Sequence, residues 1–118
     1  MTTAATLARF ATDTGFEHLP PRAVEHAKVV IASTIGSAAM GRDIGSAHAF
    51  REMAKERGGT ADATLWFDSG PKLPVMDAAR TNAIMSDAAA SDDSDLAAHA
   101  HLGTVTSTAA IAMGRQEA

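Results

Sequence analysis

Apolar residues recur at helical spacing through most of this chain, and alanine fills many of those positions. That one feature narrows the possible folds sharply. The period of about 3.6 residues calls for helices packed on helices. Alanine removes little area from water when buried, so helices of this kind must pack closely to gain anything. With 118 residues there is room for one domain, 1–118, and aromatic residues make up only 4% of it. The expected core is therefore thin for its length.

Glycine and proline divide the pattern into pieces. The first helix is predicted over Ala4 to Asp13, with Leu7, Phe10 and Ala11 on one face, and Gly15 ends it. Leu19-Pro20-Pro21 imposes an extended entry, and Pro21 suits the first turn of the next helix, where a missing N–H costs nothing. That second helix, Arg22 to Met40, carries the stripe Val24, Ala27, Ile31, Ile35 and Ala38. Small residues from Gly36 to Ala39 invite close approach of a neighbour, and Gly41 suits the position just past the helix end. A third helix spans Ser46 to Arg57, with Ala47, Phe50, Met53 and Ala54 inward and Arg51 among the outward charges.

Ala63 to Phe67 is short, β-branched and aromatic, and is closed by Asp68-Ser69-Gly70-Pro71. It reads as an extended segment in need of a partner. A fourth helix is predicted over Pro74 to Ala90, with Val75, Ala78, Ala79, Asn82 and Met85 as its stripe. Ser91 to Asp95 reads as a loop that packs nothing. A fifth helix, Thr104 to Met113, is small and apolar on nearly all sides, followed by a polar stretch from Arg115 to Ala118. A helix of that character belongs inside a protein. The expectation is an all-α unit, about five helices and one extended segment, completed by a partner chain.

Several function classes fall away. No apolar run approaches the ~20 residues of a membrane span. No basic stretch leads into an apolar one near the start, so no secretory signal is expected. There is no cysteine, which removes disulfide scaffolds and thiolate zinc sites and is compatible with a cytoplasmic protein. The net charge of −4 and the absence of a Lys/Arg cluster argue against nucleic acid.

The one dense polar constellation is Asp87, Asp92, Asp93, Asp95, His99 and His101. Carboxylates with a His-x-His pair are potential ligands for a divalent ion, but the spacing matches no known metal loop, so no metal and no cofactor is expected. A histidine oriented by a carboxylate is the usual proton-transfer pair. The third reading is a solvated loop whose aspartates cap the next helix. His18, His26 and His48 read as surface residues.

Leu7-Ala8-Arg9-Phe10, then Leu19-Pro20-Pro21 and Val24-x-x-Ala27-Lys28, resemble the first two helices of the MmgE/PrpD family. Ala63-Thr64-Leu65-Trp66 is similar to an Ala-Thr-Val-Trp segment there. Leu73-Pro74 with Asp77-Ala78-Ala79 and Asn82 resembles the family's next helix. Asp92-Asp93-Ser94 ahead of His101-Leu102-Gly103-Thr104 resembles its Asp-Asp-Thr and His-Pro-Gly-Ser pieces.

The family includes 2-methylcitrate dehydratase, cis-aconitate decarboxylase and iminodisuccinate epimerase. The resemblance implies a helical domain, a smaller α+β lid, and proton transfer on small di- and tricarboxylates without a cofactor. It implies an active-site role for His101 and matches Asp92 and Asp93 to the paired acids of an Asp-aromatic-Asp-Asp motif. The motif's first Asp falls at Ala90 and its aromatic at Ser91, the Pro after the histidine is Leu102, and Asp87 stands where the family has a histidine. Asp87, one helical turn before Ala90, is a candidate substitute for the missing acid.

The lid and the C-terminal helices have no counterpart in these residues. The reading that follows is the small subunit of a split lyase or isomerase acting on a small carboxylate-bearing substrate, with a larger subunit supplying the rest. A non-catalytic subunit that completes a partner's helical domain, and a homo-oligomeric binding module, are the alternatives.

Overall fold

The computed structural model describes residues 2–114, so the polar stretch from Arg115 to Ala118 lies outside the described residues. Among them are five α-helices: α1 (Thr3–Asp13), α2 (Pro21–Gly41), α3 (Gly45–Arg57), α4 (Val75–Ala88) and α5 (Leu102–Gly114). The only β pairing among the described residues is two isolated bridges. The all-α expectation holds. None of these helices is long and apolar enough to cross a membrane.

α4 is the centre. It packs on α2, α3 and α5, and α5 also touches α2. The four fit together because their contact faces are small. Ser37, Ala38 and Gly41 of α2 are buried, as are Ala47 and Ala54 of α3, Ala78 of α4 and Ala112 of α5. At Gly41 the two backbones come so near that a Cβ would overlap the carbonyl oxygen of Met85. Gly41 is thus the last residue of α2 and a contact point, rather than the residue past its end.

The α2 stripe differs from its prediction. Ala27 and Ile31 are exposed, and the buried face runs through Thr34, Ser37, Ala38 and Gly41. Apolar residues cover a wide arc of this helix, so periodicity cannot say which part meets a neighbour. Close backbone approach selects the small-residue edge and leaves Val29 and Ile31 outside.

The extended segment finds its partner in the chain that follows it. Ala63 and Leu73 exchange both backbone hydrogen bonds at 2.9 Å. Asn82 of α4 clamps it from below: its Oδ1 accepts from Trp66 N–H at 3.0 Å, and its Nδ2 donates to the Thr64 carbonyl at 3.1 Å. Asn82 is 1% exposed, and these bonds offset its desolvation.

Arg51 points inward, against expectation. It donates to Asp68 Oδ2 at 2.8 Å and to the Arg42 carbonyl at 3.1 Å. Lys55 Nζ lies 2.6 Å from the same Asp68 oxygen. Helical spacing placed Arg51 on the outer side because it could not show that the loop after Phe67 folds back over α3. Burial alone would raise the Asp68 carboxyl. Hydrogen bonds from Lys55, Arg51 and the Gly70 N–H outweigh it and hold the group down at about 2.

α1 stands apart. Thr2 caps it, its Oγ1 accepting from Ala5 N–H at 3.3 Å, but none of its residues is buried, and Leu7 and Phe10 are over 60% exposed.

Candidate functional site

The polar constellation sits where α4 ends and α5 begins. α4 stops at Ala88, and Ala90 adopts a left-handed conformation, φ 49°. Aspartate tolerates that conformation better than alanine, whose Cβ crowds the backbone there. The chain then runs outward through Ser91, whose Oγ lies 3.1 Å from Ser37 Oγ on α2. It returns at His101, whose carbonyl accepts the first helical bond of α5 from Val105 N–H at 3.2 Å.

Asp92 and Asp93 are not the solvated loop residues expected from the run of acids. The Asp92 side chain is only 1% exposed. Its Oδ2 accepts from Thr104 Oγ1 at 2.6 Å and lies 3.3 Å from His101 Nδ1. Asp93 Oδ2 accepts from the Gly103 N–H at 3.0 Å, satisfying an orphan donor in the first turn of α5. The capping half of that reading is therefore correct. Gly103 is required here, since a Cβ would collide with Asp93 Oδ1 and with Val30.

His101 is held on one side and open on the other. Its Nδ1 is 2.8 Å from the Asp93 carbonyl. A carbonyl can only accept, so Nδ1 carries the proton, and the carboxylate of Asp92 favours the same tautomer. Nε2 is then left with its lone pair, on a side chain that is 49% exposed.

Behind this pair is a relay that sequence reasoning missed. Thr104 spends its only proton on Asp92, so Ser86, 3.1 Å from Thr104 Oγ1, must donate to it. The order Ser86, Thr104, Asp92, His101 fixes the carboxylate from below. Thr104 lies three residues after His101, the one spacing that pointed to a shared helical face.

The structure brings Asp87, Asp92 and His101 together, with one donor atom from each within 4.8 Å of the others. It does not bring in Asp95 or His99. Asp95 Oδ1 accepts from the Ala97 and Ala98 N–H groups at 2.8 and 2.9 Å, and its backbone pairs with Ala100. His99 is exposed with a positive φ of 51°. His18, His26 and His48 are exposed. Beside the cluster, an open groove of about 720 Å³ runs between α2 and the start of α5, lined among others by His26, Val30, Asp93, Ser94 and Leu102. None of the three clustered residues lines that groove; Asp93 and Asp95, their neighbours in the loop, do.

This arrangement can accept or deliver a proton at Nε2 and hold the resulting imidazolium against a carboxylate. The sequence profile of the MmgE/PrpD N-terminal domain matches residues 5–117. No curated protein and no solved structure gives a significant match.

Proposed function

The chain belongs to the MmgE/PrpD family, as its N-terminal domain, and from that premise we propose that it supplies the histidine-bearing part of a proton-transferring lyase or isomerase. The substrate class is a small carboxylate-bearing molecule. His101 is the proton-transfer group, Asp92 orients it, and Asp93 holds both the imidazole and the start of α5. Asp87 supplies the acidic group that Ala90 lacks. The observation that carries this reading is the His101 geometry: Nδ1 tied at 2.8 Å to the Asp93 carbonyl with Asp92 alongside, on a side chain that is half exposed.

A larger subunit completes the fold and brings the cations that bind substrate carboxylates. What supports this is the uncovered apolar surface. A groove of about 510 Å³ lies between α4 and α5, with Met76, Ala83, Val105 and Ala109 among its walls. Met76 and Val105 are 83% and 66% exposed, and Met113 at the far end of α5 is 62% exposed. Exposed apolar area of this kind marks interaction surfaces.

The test uses the protein co-purified with its larger partner and a panel of small di- and tricarboxylates in deuterated water. Proton magnetic resonance reads deuterium uptake at the carbon beside the carboxylate. His101→Ala should lower exchange by about 10²- to 10⁴-fold. An unchanged rate overturns the assignment and favours a second reading, a non-catalytic subunit that completes the partner's helical domain. Ala90 is the observation on that side, because a methyl group cannot move a proton.

A further inference from the structure

Two apolar stripes legible in the sequence are left uncovered among the described residues. On α1, Leu7 and Phe10 are 63% and 61% exposed, and no residue of the helix is buried. On α2, Ala27 and Ile31 of the predicted stripe are exposed, as is Ala23 one turn earlier. The helix packing that makes the core joins α2, α3, α4 and α5, and α1 takes no part in it. A lone helix of 11 residues is shorter than the ~12–15 that hold together in water, so α1 needs a surface to lie on.

The α2 stripe offers that surface. Ala27, Val30 and Ile31 face Thr106, Ser107 and Ala110 of α5 across a hollow of about 210 Å³. A second hollow of about 400 Å³ continues it toward the start of α2, at Pro20, Arg22, Ala23 and His26. The charges match as well. Arg22 is exposed, and among the described residues its side chain forms no ion pair or hydrogen bond. Asp13 borders the α1 stripe three residues after Phe10. Its carboxylate accepts from Thr12 Oγ1 at 3.0 Å and, among the described residues, meets no cation. Both helices rise about 1.5 Å per residue. An α1 laid antiparallel on α2 with Asp13 at Arg22 therefore brings Phe10 between Ala23 and Ala27, and Leu7 between Ala27 and Ile31. Arg9 falls on the far side of α1 and stays in water.

The α1 of the same chain is held off this surface. Gly15 N–H donates to His18 Nδ1 at 3.1 Å, and the His18 and Leu19 N–H groups donate to the Gly15 and Phe16 carbonyls at 3.0 and 3.1 Å. Pro20 and Pro21 follow with φ locked by their rings. Folding α1 back onto its own α2 breaks that turn, whereas exchange with a second copy keeps it. We propose that two copies of this chain form a two-fold dimer in which each α1 lies across α2 and α5 of the other. Such a contact is isologous and closes at two copies. A stable interface buries at least ~1,200 Å², so two identical contacts ask about 300 Å² of each arm and each groove. The face is separate from the α4–α5 groove, so the inference stands apart from the larger subunit and from the His101 chemistry.

The test is sedimentation equilibrium of the purified full chain, with circular dichroism confirming the helix content of each variant. The wild type should sediment at twice the mass of one chain. Phe10→Glu on the arm and Ile31→Glu in the groove, both at exposed positions, should each sediment as single chains. Asp13→Arg and Arg22→Asp should each weaken association about tenfold, and the double variant should recover it. Met76→Glu, in the α4–α5 groove, should leave the dimer intact. A monomeric wild type overturns the proposal, since α1 then has no second copy to lie on. So does a dimer that survives Phe10→Glu or Ile31→Glu, or one that Met76→Glu dissociates. A double charge variant no tighter than the single ones overturns it too.

Discussion

Asp68 and Asp92 are both buried carboxylates at the edge of the α4 layer, and they are solved in opposite ways. Asp68 sits between Arg51 and Lys55 with a backbone N–H on its other oxygen. Its charge is neutralised, and its carboxyl is held near 2. Asp92 has a hydroxyl and an imidazole. The first arrangement neutralises the carboxylate and ties the loop after Phe67 to α3. The second leaves negative charge in reserve beside a half-open histidine. That difference is what makes Asp92, and not Asp68, a candidate for chemistry.

The comparison can be broken most directly at Arg51. Arg51→Met leaves Asp68 buried with Lys55 alone, and should destabilise the protein by about 3 kcal/mol in a denaturant titration. A loss below 1 kcal/mol would mean that the pair contributes no more than a surface ion pair.

Acid should sharpen the contrast next. The folded-state value of Asp68 lies below its ordinary 3.8. Its contribution is therefore present above that value and is lost as pH falls through about 2. At about 1.4 kcal/mol per unit, the drop amounts to roughly 2 kcal/mol. The wild type should lose it progressively, mostly between about pH 4 and 2, and Asp68→Asn should not. A variant that follows the wild-type curve would place the acid sensitivity elsewhere.

The smallest effect is expected at the other aspartate. Thr104→Val removes the hydroxyl that donates to Asp92 and should cost about 1–2 kcal/mol. Thr104→Ser should restore most of it. A cost equal to that of Arg51→Met would erase the distinction between the two regions.

Much of this fold was legible in advance. Stripes of apolar residues marked four helices and an all-round apolar run the fifth, and Gly, Pro and the acidic run Ser91 to Asp95 marked the breaks between them. The α4 stripe Ala78, Asn82 and Met85 is buried as its spacing indicated. What was not legible is which part of a broad apolar arc faces inward, as on α2, and which charge turns in, as with Arg51. In the site, Asp92, Asp93 and His101 were marked by residue type and by the family pattern. Ser86 and Thr104 were not, because a hydroxyl carries no signature until its partner is placed.

The sequence by itself determined that the protein is helical, that its helices must pack through small residues, and that its densest polar constellation lies between Asp87 and His101. Local periodicity and side-chain type are written in the order of residues, so they can be read from it. Only the tertiary structure decided that Asp92 is buried while His101 is half exposed, and that Asp87 stands within reach of both. Those facts depend on distances between a helix end, a loop and a helix start, which are set by how α4 and α5 pack together.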